Sequence, residues 1–139
     1  MNFVSFDLAK KLKEKGFSEK CLAYYDVDDN VGLLYNTQYT DDISPCQYMD
    51  LMLSRNSGEG GGECDNSECC IDAPTISQVL NWLRKEKEMY IIAPASFDEG
   101  YWWELRDFNR EISEYGDVEY TSYEQATLAG IEYVLDNLI

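Results

Sequence analysis

A chain of 139 residues with 45% hydrophobic and 14% aromatic content carries enough apolar material for one ordinary domain and falls outside the disordered class. Its formal net charge of −16 disfavours direct binding to nucleic-acid phosphate or anionic lipid, and the absence of histidine removes the commonest general base together with the commonest metal ligand. No apolar run approaches the ~20 residues of a membrane span and no apolar stretch with a cleavage site is read at the start, so the five cysteines are expected as reduced thiols in a cytoplasm.

The charge is unevenly placed. Residues 1–20 carry +2 and 73–93 carry +1, whereas 37–72 carry −7, 94–120 carry −6, and 21–36 and 121–139 carry −3 each.

In chain order, Ser5 is positioned to cap a helix that turns Leu8, Ala9 and Leu12 inward and Lys10, Lys11, Lys13 and Glu14 outward. Gly16 is the natural stop, with Phe17 placed to close back on Leu12 in a Schellman motif. Residues 20–27 and 31–36 read as two strands joined at Asp28-Asp29-Asn30, a hairpin. The same turn opens like a calcium loop, but Val31 and Thr37 stand where that loop needs Gly and Glu. Residues 37–72 read as irregular. Ser44-Pro45-Cys46-Gln47 is a capping signature for a short helix, and the glycine-dense run 57–63 reads as a flexible loop.

The clearest signal spans 73–93. Thr75 and Gln78 have capping-box spacing, and Pro74 precedes the cap. Ile76, Val79, Leu80 and Leu83 form one stripe with Trp82 at its margin, and Arg84, Lys85 and Lys87 fill the last turn, where the helix dipole favours cations. Tyr90, Ile91 and Ile92 then switch to strand chemistry, and Pro94 confines that strand to an edge or ends it. An aromatic strand is predicted over 101–108, and 109–120 is left between a loop and a further strand. Thr121 and Glu124 suggest a third capping box, before a helix whose stripe is Ala126, Gly130, Ile131, Val134 and Leu138. The expected fold is therefore α+β in the order α-β-β-α-β-β-α. It would be a mainly antiparallel sheet of four or five strands with helices on one face, forming a single domain over 1–139 with a flexible Gly/Cys-rich insertion at about 37–72.

Three stretches carry a resemblance: Phe-Asp-Leu-Ala-Lys-Lys-Leu-Lys-Glu-Lys-Gly-Phe (6–17), Ala-Pro-Thr-Ile-Ser-Gln-Val-Leu-Asn-Trp-Leu-Arg-Lys-Glu (73–86) and Tyr-Glu-Gln-Ala-Thr-Leu-Ala-Gly-Ile-Glu-Tyr-Val-Leu (123–135). Together the chain resembles small uncharacterised proteins of Bacteroidetes phages and mobile elements. That likeness implies an intracellular α+β protein and no assigned activity or functional residue. The order of elements over 89–135 is also similar to antitoxins of the HicB type, although their Pro-Asp-Leu-Pro-Gly-Cys stretch has no counterpart here. This second likeness is one of topology, which does not fix function.

Candidate sites are few. Cys46, Cys64, Cys69 and Cys70 are enough thiolates for a zinc site, but Cys64-x4-Cys69-Cys70 lacks paired knuckles, so reduced thiols are the preferred reading and no cofactor is expected. Cys21, in a strand pattern, reads as core. Glu111, Glu114, Asp117 and Glu119 read as a solvated acidic face rather than an acid/base pair. In 101–108, strand alternation points Tyr101, Trp103 and Leu105 one way and Trp102, Glu104, Arg106 and Phe108 the other, so one of the two tryptophans must face away from the helices. With Tyr90 on the adjacent strand and Trp82 on the central helix, Tyr101, Trp102 and Trp103 are the candidate contact residues for a protein partner or a second copy. The expectation is a non-enzymatic, cytoplasmic interaction module of phage or mobile-element origin. The alternative is an acidic decoy that mimics DNA and occupies a host nucleic-acid-binding protein.

Overall fold

The computed structural model describes residues 2–26, 33–35, 56, 70–107, 109 and 111–139. These belong to two compact units, Met1–Ile76 and Ser77–Ile139. The fold is α+β, with three helices and only antiparallel strand pairs among the described residues.

In the first unit, helix α1 (Phe6–Glu14) starts and stops where local chemistry dictates. Ser5 Oγ accepts from the Leu8 backbone N–H at 3.3 Å, satisfying one donor that the first turn leaves open. At the other end Gly16 sits at φ +91. The Phe17 N–H reaches Leu12 O at 2.9 Å, and the Gly16 N–H reaches Lys13 O at 3.1 Å, which completes the Schellman pair.

Strands β1 (Ala23–Asp26) and β2 (Leu33–Tyr35) pair in register Tyr24↔Leu34, as a hairpin requires; its turn, with the calcium-like start, lies outside the described residues. The second neighbour of β1 is β3 (Cys70–Ala73), a strand at the end of the stretch expected to be irregular. The order is β2-β1-β3. Residues just before α1 extend β3 further along the chain: Phe3 bridges Thr75, the Val4 N–H donates to Pro74 O at 3.0 Å, and the Ile76 N–H donates to Asn2 O at 2.9 Å.

All four residues of β3 are buried, Asp72 among them. A buried carboxylate is costly without partners, and Asn56 supplies them. Its backbone N–H donates to Asp72 Oδ2 and its Oδ1 accepts from the Asp72 N–H, each at 3.0 Å, while its Nδ2 donates to Phe17 O at 2.9 Å. On the face shared with Ile71 and Ala73, Tyr25 stacks edge-on against Phe6 at 5.6 Å and its hydroxyl donates to Val4 O at 2.7 Å.

Helix α2 (Ile76–Lys87) buries Ile76, Val79, Leu80, Leu83 and also Trp82. Beyond it lie strands β4 (Tyr90–Ile92), β5 (Ala95–Ser96), β6 (Gly100–Tyr101), β7 (Glu104–Arg106) and β8 (Ile112–Tyr115), then helix α3 (Tyr123–Asn137). The sheet order is β4-β7-β8, with β5-β6 a separate ribbon. Among the described residues β4 is an edge strand, and it ends before Pro94, as the missing proline donor demands.

Four expectations need correction. Among the described residues the strands form two three-stranded sheets and a ribbon, where one four- or five-stranded sheet was expected. The 101–108 strand is interrupted at Trp102-Trp103, where the Trp102 N–H turns to Pro94 O at 3.2 Å. The N-cap of α3 is Ser122, whose side chain accepts from the Gln125 N–H; Thr121 instead donates, through N–H and hydroxyl, to Gln125 Oε1. Finally, Leu138 is the exposed C-cap of α3, and Leu135 occupies the buried position instead. The expected helix near Cys46 and the glycine-rich run lie outside the described residues.

Candidate functional site

The sheet β4-β7-β8 has two chemically distinct faces, and its register assigns each side chain to one of them. Directly opposed residues on antiparallel strands share a face. Ile91 opposes Leu105, and Leu105 opposes Glu114. This row lies under α3: a Cβ added at Gly130 would stand 3.0 Å from Ile91 Cγ2 and 3.1 Å from Trp103 Cβ. Gly130 thus lets the helix axis approach closely. Trp103 is 6% exposed and tilts against Tyr133 of α3 with ring centroids 4.9 Å apart. Gly116 abuts the edge of the same indole, where a methyl group would overlap Nε1. Hydrogen bonding to the Glu114 carboxylate first, then burial and the carboxylate charge, raises the Tyr133 phenol pKa.

The opposite, outer face carries two rows, Tyr90–Arg106–Ile112 and Ile92–Glu104–Tyr115. Glu104 organises it. This carboxylate is almost entirely buried, accepts from Trp102 Nε1 at 3.1 Å on one oxygen and from Arg106 Nη2 at 2.7 Å on the other. Charge-assisted bonds to both oxygens offset its desolvation and fix the rotamers of Trp102 and Arg106. Arg84, Tyr90, Ile92 and Arg106 line an open cavity of about 480 Å³. Towards β8 the face becomes apolar and exposed: Ile112 is 50% and Tyr115 72% accessible.

The alternation expected for 102–106 is therefore present. Trp103 and Leu105 point to α3, while Trp102, Glu104 and Arg106 share the other face; Phe108 lies outside the described residues. Of the five candidate contact residues, Trp102 and Tyr90 are half-buried on the outer face. Tyr101 is half-buried in the ribbon and exchanges backbone bonds with Tyr120. Trp82 and Trp103, also candidate contact residues, are buried core residues. Trp82 instead carries Lys87 Nζ at 5.7 Å from its ring centroid.

Ile112 and Tyr115 went unrecognised in the sequence because 109–120 mixes strand and turn residues. The alternation Ile112-Ser113-Glu114-Tyr115 is broken by a bulge between the Leu105 and Arg106 pairings, so the period-two signal is lost.

The cysteine set is not assembled by the described residues. Cys46, Cys64 and Cys69 lie outside them, and Cys70 is buried in β3. Among the described residues no three potential ligands cluster as a metal site would need, and no described helix is long and apolar enough to cross a membrane. Cys21 is buried as expected. Burial first, then the negative charges of Asp72 and Glu19, drive its thiol pKa far up, which suits a packed side chain and not a nucleophile. Neither a family model nor a curated protein nor a solved structure matches this chain.

Proposed function

We propose that the chain is a non-enzymatic, cytoplasmic protein-interaction module of phage or mobile-element origin, and that its contact surface is the outer face of the β4-β7-β8 sheet. The observation that supports this reading most directly is the pairing of Ile112 and Tyr115, both widely exposed, with the fixed Trp102–Glu104–Arg106 group on the same face. Apolar and aromatic side chains held beside a rigid, hydrogen-bonded polar group are the composition of a contact-patch centre. The origin rests on the sequence resemblance at 6–17, 73–86 and 123–135, and the lack of catalysis on a histidine-free chain.

The test compares the wild-type chain with the double variant Ile112→Lys/Tyr115→Lys and, as a control at another exposed apolar site, Phe97→Lys. Mass in solution and recovery of partners from the producing cell are measured for each. The outer-face variant is expected to lose association that the control keeps. Association unaffected by the double substitution, or a wild-type chain that stays monomeric and recovers no partner, counts against the reading.

A further inference from the structure

Among the described residues, β8 has one neighbouring strand. Its residues Ile112, Glu114 and Tyr115 are in register with Arg106, Leu105 and Glu104 of β7, and the sheet order ends there. Its other side therefore presents backbone N–H and C=O groups with no described strand beside them, and Ile112, Ser113 and Tyr115 are exposed. A free sheet edge next to apolar side chains is a template for a further strand.

What can occupy that edge is decided by charge. Residues 111–139 hold Glu111, Glu114, Asp117, Glu119, Glu124, Glu132 and Asp136, and no lysine or arginine. Glu111, Asp117 and Glu119 flank the strand and are exposed, whereas Glu114 is engaged by Tyr133. A second copy of β8 laid along the first would bring these carboxylates together, and like charges facing across strands are destabilising. The bulge at Ser113 adds a geometric obstacle to self-pairing, since it bends the edge away from a flat identical strand. The same carboxylates attract a cationic chain, and the field that speeds its approach also discriminates against acidic segments.

We infer that β8 accepts an extended, cationic segment of a partner protein as the fourth strand of the sheet. The segment's alternate apolar side chains lie beside Ile112 and Tyr115, and its lysines or arginines lie beside Glu111, Asp117 and Glu119. Backbone hydrogen bonds along Ile112–Tyr115 hold it, and the carboxylates select its composition. This rests on the interaction-module reading and adds to it the place, the geometry and the charge of the partner.

The experiment uses the full chain, labelled with ¹⁵N, and three synthetic peptides of about eight residues. One alternates valine with lysine, one alternates valine with glutamate, and one repeats the lysine peptide with every backbone amide N-methylated, so that neither of its edges can donate. The lysine peptide is expected to shift the amide resonances of 111–117 most, to slow their exchange with solvent, and to bind at least about tenfold more weakly as salt is raised from low to high. The glutamate peptide and the N-methylated peptide are expected not to bind. The surface variant Glu111→Gln/Asp117→Asn/Glu119→Gln should weaken the lysine peptide by about tenfold or more.

Equal binding of the N-methylated peptide would mean adhesion to an acidic surface without strand addition, and overturns the proposal. So does equal binding of the glutamate peptide, or a lysine peptide whose shifts fall elsewhere or are absent. If the peptide fails while Ile112→Lys/Tyr115→Lys still abolishes association with protein partners, strand addition falls and the module reading stands. If both fail, both readings fall.

Discussion

Cys21 shows how one side chain's surroundings set its chemistry. It is fully buried, its Sγ lies 3.4 Å from Glu19 O, and burial together with the negative Asp72 and Glu19 holds it as a thiol. In the unfolded chain the same group ionises near 9.0. The folded-state pKa is the higher one, so the stabilisation is complete below pH 9 and is lost as pH rises, because the unfolded chain sheds a proton that the folded chain keeps. The slope for one such group is about 1.4 kcal/mol per pH unit. Urea unfolding followed from about pH 8 to 10 should show this decline, and Cys21→Ala should remove it from the lower part of that range. Tyr25, Tyr120 and Tyr133, all with raised pKa values, add to the decline only above about pH 10. An unchanged slope in Cys21→Ala would show that another group is responsible.

Among elements, legibility followed the range of the interactions that make them. Helix α1 was readable from end to end because its cap at Ser5 and its stop at Gly16-Phe17 are written within a few residues. The two-faced chemistry of 102–106 was readable for the same reason, since strand alternation is local. β3 was missed. Cys-Ile-Asp-Ala carries a carboxylate at its third position, and the partner that makes burial tolerable, Asn56, is remote in sequence. Of the outer face, the placement of Trp102 and Glu104 on one side and of Tyr90 on the neighbouring strand was legible, whereas the buried bridge at Glu104 and the exposed pair Ile112 and Tyr115 depend on pairings between strands and on a bulge.

The start of α3 offers a test at this scale. Two neighbouring hydroxyls compete for the role of cap, and the structure assigns it to Ser122. Ser122→Ala should cost about 1 kcal/mol in unfolding free energy, and Thr121→Ala, which loses only an exposed bond to Gln125, less than about 0.5 kcal/mol. Thermal or urea denaturation distinguishes the two, and the reverse order would contradict the assigned cap.

For the whole molecule, the surplus of acid sets a strongly negative field over much of the chain. The net charge of −16 is borne by a chain whose residues 111–139 contain no cation. Such a surface raises the electrostatic cost of bringing identical copies together at the outer face of the second sheet.

The two sheets also differ in how far apart along the chain their partners lie. Asp26 pairs with Cys70 in the first, whereas Arg106 pairs with Ile112 in the second. Closing the longer segment costs roughly 2 kcal/mol more in chain entropy before any contact rewards it. Order of assembly follows from that difference: in refolding, the sheet of Ser77–Ile139 should acquire protected amides before the β1–β3 pairing does. Pulse-labelled hydrogen exchange reads this directly, with Leu105 and Glu114 expected to be protected ahead of Tyr25 and Ile71. Simultaneous protection of both sets would refute the order. All three tryptophans lie within Ser77–Ile139. Tryptophan fluorescence in refolding therefore reports from residues of Ser77–Ile139, and amide protection at Tyr25 and Ile71 times the β1–β3 pairing.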